Sequence, residues 1–120
     1  MIELLLQAER TLAMGRLDDA ERLYRQALGS DPRNAIAVVG LARLAIERGD
    51  DTEAYRLAAR ALELDPENAA AVRLAMRLHE VLDARGEHVD PPDALRPKGD
   101  VWARRYARGW LDRLFRRSRG

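Results

Sequence analysis

The 120-residue chain contains no cysteine, and it has few of the other side chains that perform covalent chemistry. The absence of thiols excludes disulfide bonds, cysteine nucleophiles and cysteine-ligated metal sites. Only two serines, two threonines and two histidines are present. No serine–histidine–acid set and no phosphate-binding glycine loop is found among them. We therefore expect no enzyme, no catalytic residue and no cofactor.

Long apolar segments are also lacking. No run approaches the ~18 residues that span a bilayer, and the apolar stretch at residues 1–6 is too short for a secretory signal and carries Glu3. A composition of 47% hydrophobic and 34% charged residues is typical of one folded domain. We expect a cytoplasmic protein, with a peripheral site at the inner membrane face as the alternative. The ratio of 20 arginines to one lysine indicates a bacterial source.

Charge is divided unevenly along the chain. Residues 1–95 hold 12 arginines and 18 acidic residues, a net charge of −6, whereas residues 96–120 hold nine basic and two acidic residues, a net charge of +7. An acidic body with a basic tail indicates either an interaction tail or a tail that folds back onto its own body.

An internal repeat sets the architecture. Shifting the sequence by 34 residues gives 11 identities without a gap, including Gly15 with Gly49, Pro32 with Pro66, and Asn34 with Asn68. Each unit contains two segments of helical periodicity, at residues 2–14 and 17–29 in the first unit. Glycine ends the first helix, proline stops the second, and asparagine is placed to cap the next. We assign every isolated glycine to a helix end.

These residues resemble the tetratricopeptide repeat family, in which small residues and a proline recur at fixed places of a 34-residue helical hairpin. The matching residues are Leu4, Ala8, Gly15, Ala20, Tyr24, Ala27 and Pro32 in the first unit, and Val38, Leu41, Ala42, Gly49, Ala54, Ala58, Ala61 and Pro66 in the second. The resemblance implies an all-α helical-hairpin solenoid. Repeats are predicted at residues 1–34 and 35–68, with a partial repeat at 69–85.

The resemblance also implies a concave groove, lined by the first helix of each unit, that binds a peptide or an amphipathic helix of a partner protein. The corresponding positions are Ile2, Leu5, Glu9, Leu12, Ile36, Val39, Arg43, Ile46, Glu47, Arg73 and Arg77. The apolar positions Ile2, Leu5, Ile36 and Val39 are expected to be exposed, so that a partner, a second copy or the tail must cover them. Two interpretations are open for the arginines: they bind an acidic partner, or they pair with Glu47 and Glu80 on a solvated face.

A Pro/Gly-rich linker at residues 86–100 precedes a predicted amphipathic helix at 101–120. Its apolar stripe consists of Trp102, Tyr106, Trp110 and Leu114, and Arg104, Arg105 and Arg108 lie on its other faces. This helix either caps the open end of the repeats, binds an anionic membrane surface, or binds a protein or a second copy. Nucleic acid is not expected, because the acidic body would repel phosphate. His79 and Asp83 are one helical turn apart, but a surface pair is commoner than a metal site, and we expect no metal.

Overall fold

The computed structural model describes residues 2–92 and 95, and within them the chain forms five α-helices and no strand. The helices are α1 (Ile2–Ala13), α2 (Leu17–Ser30), α3 (Ala35–Glu47), α4 (Asp51–Leu64) and α5 (Ala69–Ala84). The two helices of the first unit, α1 and α2, begin and end within one residue of their predicted bounds. The predicted all-α fold is confirmed.

Short turns separate the helices, and equivalent turns of the first two units contain the same residue types. Gly15 and Gly49 follow the first helix of each unit at φ 77° and 79°, in the left-handed region that glycine adopts without steric cost. Asn34 Oδ1 accepts a hydrogen bond from the Ala37 amide, and Asn68 Oδ1 accepts one from the Ala71 amide, each at 3.0 Å. These side chains satisfy backbone donors that the first helical turn leaves unpaired. The predicted caps are therefore confirmed.

The helices stack as hairpins. α1 packs on α2, α3 packs on α4, and α2 and α4 each also contact the first helix of the following unit. One apolar cluster lies between α1, α2 and α3, and a second lies between α3, α4 and α5. Ala8 and Ala20 are completely buried in the first cluster, where a methyl group permits two helices to approach closely.

Gly40 is the exception to the assignment of glycines to helix ends, which is wrong for this residue. Gly40 lies in the middle of α3 and is buried. A β-carbon at this position would overlap the aromatic ring of Tyr24 from α2. The ring is itself completely buried. Glycine is needed here because the ring of the preceding unit packs directly on the backbone of α3.

Candidate functional site

Equivalent positions of successive units lie side by side across the first helices. Glu9 and Arg43 are 34 residues apart, and Arg43 Nη1 lies 3.5 Å from Glu9 Oε1. Both side chains are partly exposed, at 44% and 41% respectively. The ion pair shows that Glu9 of α1 and Arg43 of α3 lie side by side on one surface. It also shows that Arg43 pairs with Glu9 and not with Glu47.

The apolar groove positions divide into exposed and buried residues. Ile2 and Ile36 occupy the same position in consecutive units and are 74% and 53% exposed. Leu5 and Val39 are only 8% and 3% exposed, so the expectation that they form part of an open patch is wrong. Both belong to the clusters between helices, where burial of their side chains stabilises the stack. Among the apolar groove positions, the strongly exposed residues are therefore Ile2 and Ile36, at the start of α1 and of α3.

The remaining groove positions fall into three groups. Leu12 and Ile46 are half-buried, and each packs at the edge of an apolar cluster. Glu47 is exposed at the last residue of α3. On α5 the surface is basic, with Arg73 and Arg77 exposed one helical turn apart.

A cavity of about 310 Å³ lies beside this basic pair. Its lining along α5 consists of Ala69, Val72, Arg73, Met76, Arg77 and Glu80. Val72 and Met76 supply an apolar floor, and the two guanidinium groups supply hydrogen-bond donors suited to carboxylates. Neither Arg73 nor Arg77 has an ion-pair partner within residues 2–92 and 95. By contrast, eight of the twelve arginines of residues 1–95 have one there: Arg16, Arg22, Arg25, Arg43, Arg48, Arg56, Arg60 and Arg85.

The Tyr24 side chain lies in the apolar cluster between α1, α2 and α3. Its hydroxyl is buried and has no hydrogen-bond partner in the described part of the chain. Burial raises the pKa of Tyr24 to about 12, and the nearby Glu9 carboxylate adds to the shift while Arg43 opposes it. Tyr24 therefore stays neutral and packs as an aromatic ring over Gly40. The sequence marked Tyr24 as a repeat residue but did not identify Gly40 as its contact.

A second set of charged side chains, which no sequence pattern indicated, links the repeats away from the groove. Arg48, which follows α3, donates to Asp18 Oδ1 at 2.7 Å and to Glu21 Oε1 at 2.6 Å, both on α2. Arg25 Nε donates to the other oxygen of Glu21 at 2.8 Å. The Arg48 hydrogen bond, with that of Arg25, holds the pKa of Glu21 below its ordinary value of 4.5. These bonds connect α2 to the far end of α3.

Replacing Arg48 with methionine is expected to lower the free energy of unfolding by about 0.5–1 kcal/mol at neutral pH, since exposed ion pairs contribute little. Because the folded-state pKa of Glu21 is lowered, its contribution is present above pH 4.5 and is lost as pH falls through the folded-state value. The variant should therefore lose less stability than the wild type between pH 7 and pH 3 in urea titrations. Arg60→Met, which removes a pair within α4, is the matched control and should leave the acid dependence unchanged. An equal effect of both substitutions would contradict a role for Arg48 between helices.

The segment after α5 packs against the repeats and is not merely a spacer. Tyr55 of α4 donates its hydroxyl hydrogen to the Asp90 carbonyl at 2.5 Å, and His79 Nε2 lies 3.1 Å from the Val89 carbonyl. Leu95 is completely buried in the cluster of α3, α4 and α5. Burial raises the pKa of Tyr55, so its hydroxyl remains a donor. We call residues 87–92 together with Leu95 the strap.

The remaining predictions concern the tail, a metal site and a membrane-spanning helix. The predicted tail residues Trp102, Tyr106, Trp110, Leu114, Arg104, Arg105 and Arg108 lie outside the described residues. Within residues 2–92 and 95, no three histidine, aspartate or glutamate side chains are grouped so that they could hold a metal ion. In the same part of the chain, no helix has the length and apolar character needed to cross a membrane.

Comparison with known proteins agrees with the stacked hairpins. One curated protein of similar sequence is the cellulose synthase 1 operon protein C of Komagataeibacter xylinus. It is 38% identical over 50 residues, which is 42% of this chain but only 4% of that protein. The chain thus spans a small fraction of the relative it matches. No solved structure matches the chain significantly.

The family comparison covers more of the sequence. A sequence model described as tetratricopeptide repeat matches residues 11–78, which is more than half of the chain. The match begins in α1, includes α2, α3 and α4, and extends into α5. The stacking of the hairpins, the buried alanines and the two matching turns are the features that this family predicts. The chain belongs to the tetratricopeptide repeat family.

Proposed function

We propose that this protein is a non-catalytic adaptor or assembly factor whose concave groove binds an acidic, apolar segment of a partner protein. The observation that carries the proposal is the basic pair of α5. Arg73 and Arg77 are exposed, lack an ion-pair partner among the described residues, and flank an apolar cavity. The carboxylates of such a segment would bind the two guanidinium groups, and its hydrophobic side chains would contact the exposed apolar residues of α1 and α3.

The exposed residues at the start of α1 and α3 extend this surface. Ile2 and Ile36 offer apolar contacts in the first two units, and the Glu9–Arg43 pair lies on the same surface. That pair is long, at 3.5 Å, and open to solvent, so exchange of Glu9 for a partner carboxylate has a small energetic cost. A peptide or helix lying across the three first helices would contact all of these groups.

Self-assembly by stacking of repeats is disfavoured by the outer face of α1. Glu3, Gln7 and Arg10 are exposed there. The equivalent residues of the later units are apolar and buried between hairpins: Ala37, Leu41, Leu44, Ala71, Ala75 and Leu78. Packing another hairpin on α1 would bury polar groups without partners. Membrane attachment through the basic tail stays a prediction, as do the cytoplasmic location and the bacterial source.

Selection of peptides from a displayed random library on the purified protein tests the groove. We expect the selected sequences to be enriched in acidic and large apolar residues. The double variant Arg73→Ala/Arg77→Ala should weaken binding of a selected peptide by about tenfold or more, because each hydrogen bond to a charged group contributes about 1.5–3 kcal/mol. Binding is measured by fluorescence anisotropy of the labelled peptide.

The matched control is Arg56→Ala/Arg60→Ala, which removes two exposed arginines one turn apart on α4. This control should leave peptide affinity unchanged, because α4 is the second helix of its unit and lies off the groove. Selected peptides that bind equally well to both double variants would refute the assignment of the groove. Failure to select any sequence above background would refute the proposed function.

A further inference from the structure

α5 is the one first helix that lacks a second helix of its own within residues 2–92 and 95. α1 packs on α2 and α3 packs on α4, whereas residues 87–92, which follow α5, form no helix. The cavity beside Ala69, Val72 and Met76 lies on the side of α5 that corresponds to these hairpin contacts. Met76 occupies the repeat position of Ala8 and Ala42, both completely buried.

The third repeat has methionine, Met76, where the first two have alanine, and this difference limits which segment can pack on α5. A methyl group permits close approach of two helix backbones, and the longer side chain of Met76 prevents it. Methionine is flexible and fills irregular spaces, so Met76 suits an occupant that is held farther away and inserts large side chains. The face therefore fits an aromatic-rich segment better than a third alanine-packed helix.

The strap brings the rest of the chain to this face. Leu95 is completely buried in the cluster that contains Val72, Leu78 and Leu82 of α5, and Val89 packs against the same cluster. The 25 residues that follow Leu95 therefore start beside α5. Six residues reach up to about 20 Å when extended, whereas the 16 residues of α5 span about 24 Å. The segment that begins near residue 101 is thus within reach of the cavity.

We infer that residues 101–117 of the same chain pack on this face of α5 and take the place of the missing second helix. Trp102, Tyr106, Trp110 and Leu114 recur every four residues, which is the spacing of one helix face. Large aromatic side chains bury roughly 150–250 Å² each, so a few of them suffice to cover Val72 and Met76.

Connectivity favours this occupant over a second copy of the chain. The tail carries +7 and residues 1–95 carry −6, so net charge attracts the tail to a repeat body without distinguishing its own from that of another copy. Attachment through the strap gives the tail an effective concentration that is on the order of millimolar, above any concentration of a second molecule. The stripe then covers Val72 and Met76, and Arg73 and Arg77 at the rim of the cavity remain open to a partner of the groove.

The full-length protein supplies the probe for a test. Both tryptophans of the chain lie in residues 101–117, so all tryptophan fluorescence reports on the tail. The chain has no cysteine, so one introduced cysteine accepts a nitroxide quencher at a single site. We place the label at Ala69→Cys or Arg73→Cys, two exposed positions on successive turns at the cavity rim. The matched control is Met14→Cys, an exposed residue at the opposite end of the repeats.

Labels at the cavity rim should reduce tryptophan emission by roughly half or more, and the Met14→Cys label should leave it nearly unchanged. The quenching should not change on dilution, and light scattering should give the monomer mass. Circular dichroism confirms that each labelled variant keeps the helical fold. Equal emission with all labels, or emission that acrylamide quenches as freely as a tryptophan peptide, would overturn the inference. Quenching that grows with protein concentration, or that requires anionic phosphatidylserine vesicles, would also overturn it and would identify a second copy or a membrane as the occupant.

Discussion

Replacing Gly40 with alanine is expected to lower the free energy of unfolding by about 2–3 kcal/mol, because overpacking a tight core costs this much. The new β-carbon would overlap the Tyr24 ring, which is completely buried and has little room to move. In an exposed helix the same substitution stabilises by about 1 kcal/mol, since alanine is the better helix former. The sign of the effect therefore depends on the ring alone.

Urea unfolding followed by circular dichroism measures this effect against two controls. Gly29→Ala in α2 should be neutral or stabilising, because nothing lies within 4 Å of the position that its β-carbon would take. In a Tyr24→Leu background the loss from Gly40→Ala should largely disappear, since the ring that opposes the methyl group is gone. Persistence of the full loss in that background would contradict the assignment of the strain to the Tyr24 ring.

Local signals explain why much of the fold could be predicted from the sequence. The sequence Asp-Pro-x-Asn occurs at residues 31–34 and again at 65–68, and it forms the same turn both times. In each turn the aspartate accepts a hydrogen bond from the amide two residues on, and the asparagine caps the following helix. These bonds join residues two or three apart, so the sequence alone determines them.

Contacts between distant residues could not be predicted in the same way. Gly40 looks like a helix breaker in the sequence, and only the path of Tyr24 across α3 explains it. The sequence signal that could have identified this contact is a glycine in the middle of an apolar helical run, in the repeat that follows one with an aromatic residue in its second helix. The contacts of the strap depend on the path of the chain after α5. Its Pro-rich composition did not indicate that Tyr55 hydrogen-bonds to it.

The groove illustrates the same limit at the level of function. Glu9 and Arg43 occupy the same repeat position and lie side by side, whereas the sequence had offered Glu47 and Glu80 as partners for the arginines. Repeat positions did not separate residues that face solvent, such as Ile36, from residues that pack between units, such as Val39. Both positions are apolar and belong to the same helix, but Val39 belongs to the cluster of α3, α4 and α5, whereas Ile36 lies outside both clusters.

Ala42 and Met76 occupy the same position in successive repeats. The substitutions Ala42→Met and Met76→Ala should change the free energy of unfolding by very different amounts. Ala42 is completely buried between hairpin helices, so Ala42→Met is expected to destabilise the protein by about 2–3 kcal/mol through forced separation of α3 and α4. Met76 is half-buried at a cavity, so Met76→Ala should cost about 1 kcal/mol or less, since the better helix propensity of alanine offsets part of the lost contact. Chemical unfolding with global fitting of the denaturant slope measures both.

The comparison of these two variants tests the claim that the third unit is built differently from the first two. If α5 were packed like α3, then Met76 would itself be an overpacked residue, and Met76→Ala would stabilise the protein. If α3 and α4 were loosely packed, then Ala42→Met would have no larger effect than Met76→Ala. If α3 and α5 pack against different kinds of neighbour, Ala42→Met should lower the free energy of unfolding strongly and Met76→Ala should lower it only slightly. That pattern would assign the alanine to a close helix pair and the methionine to an end of the solenoid with a wider contact distance.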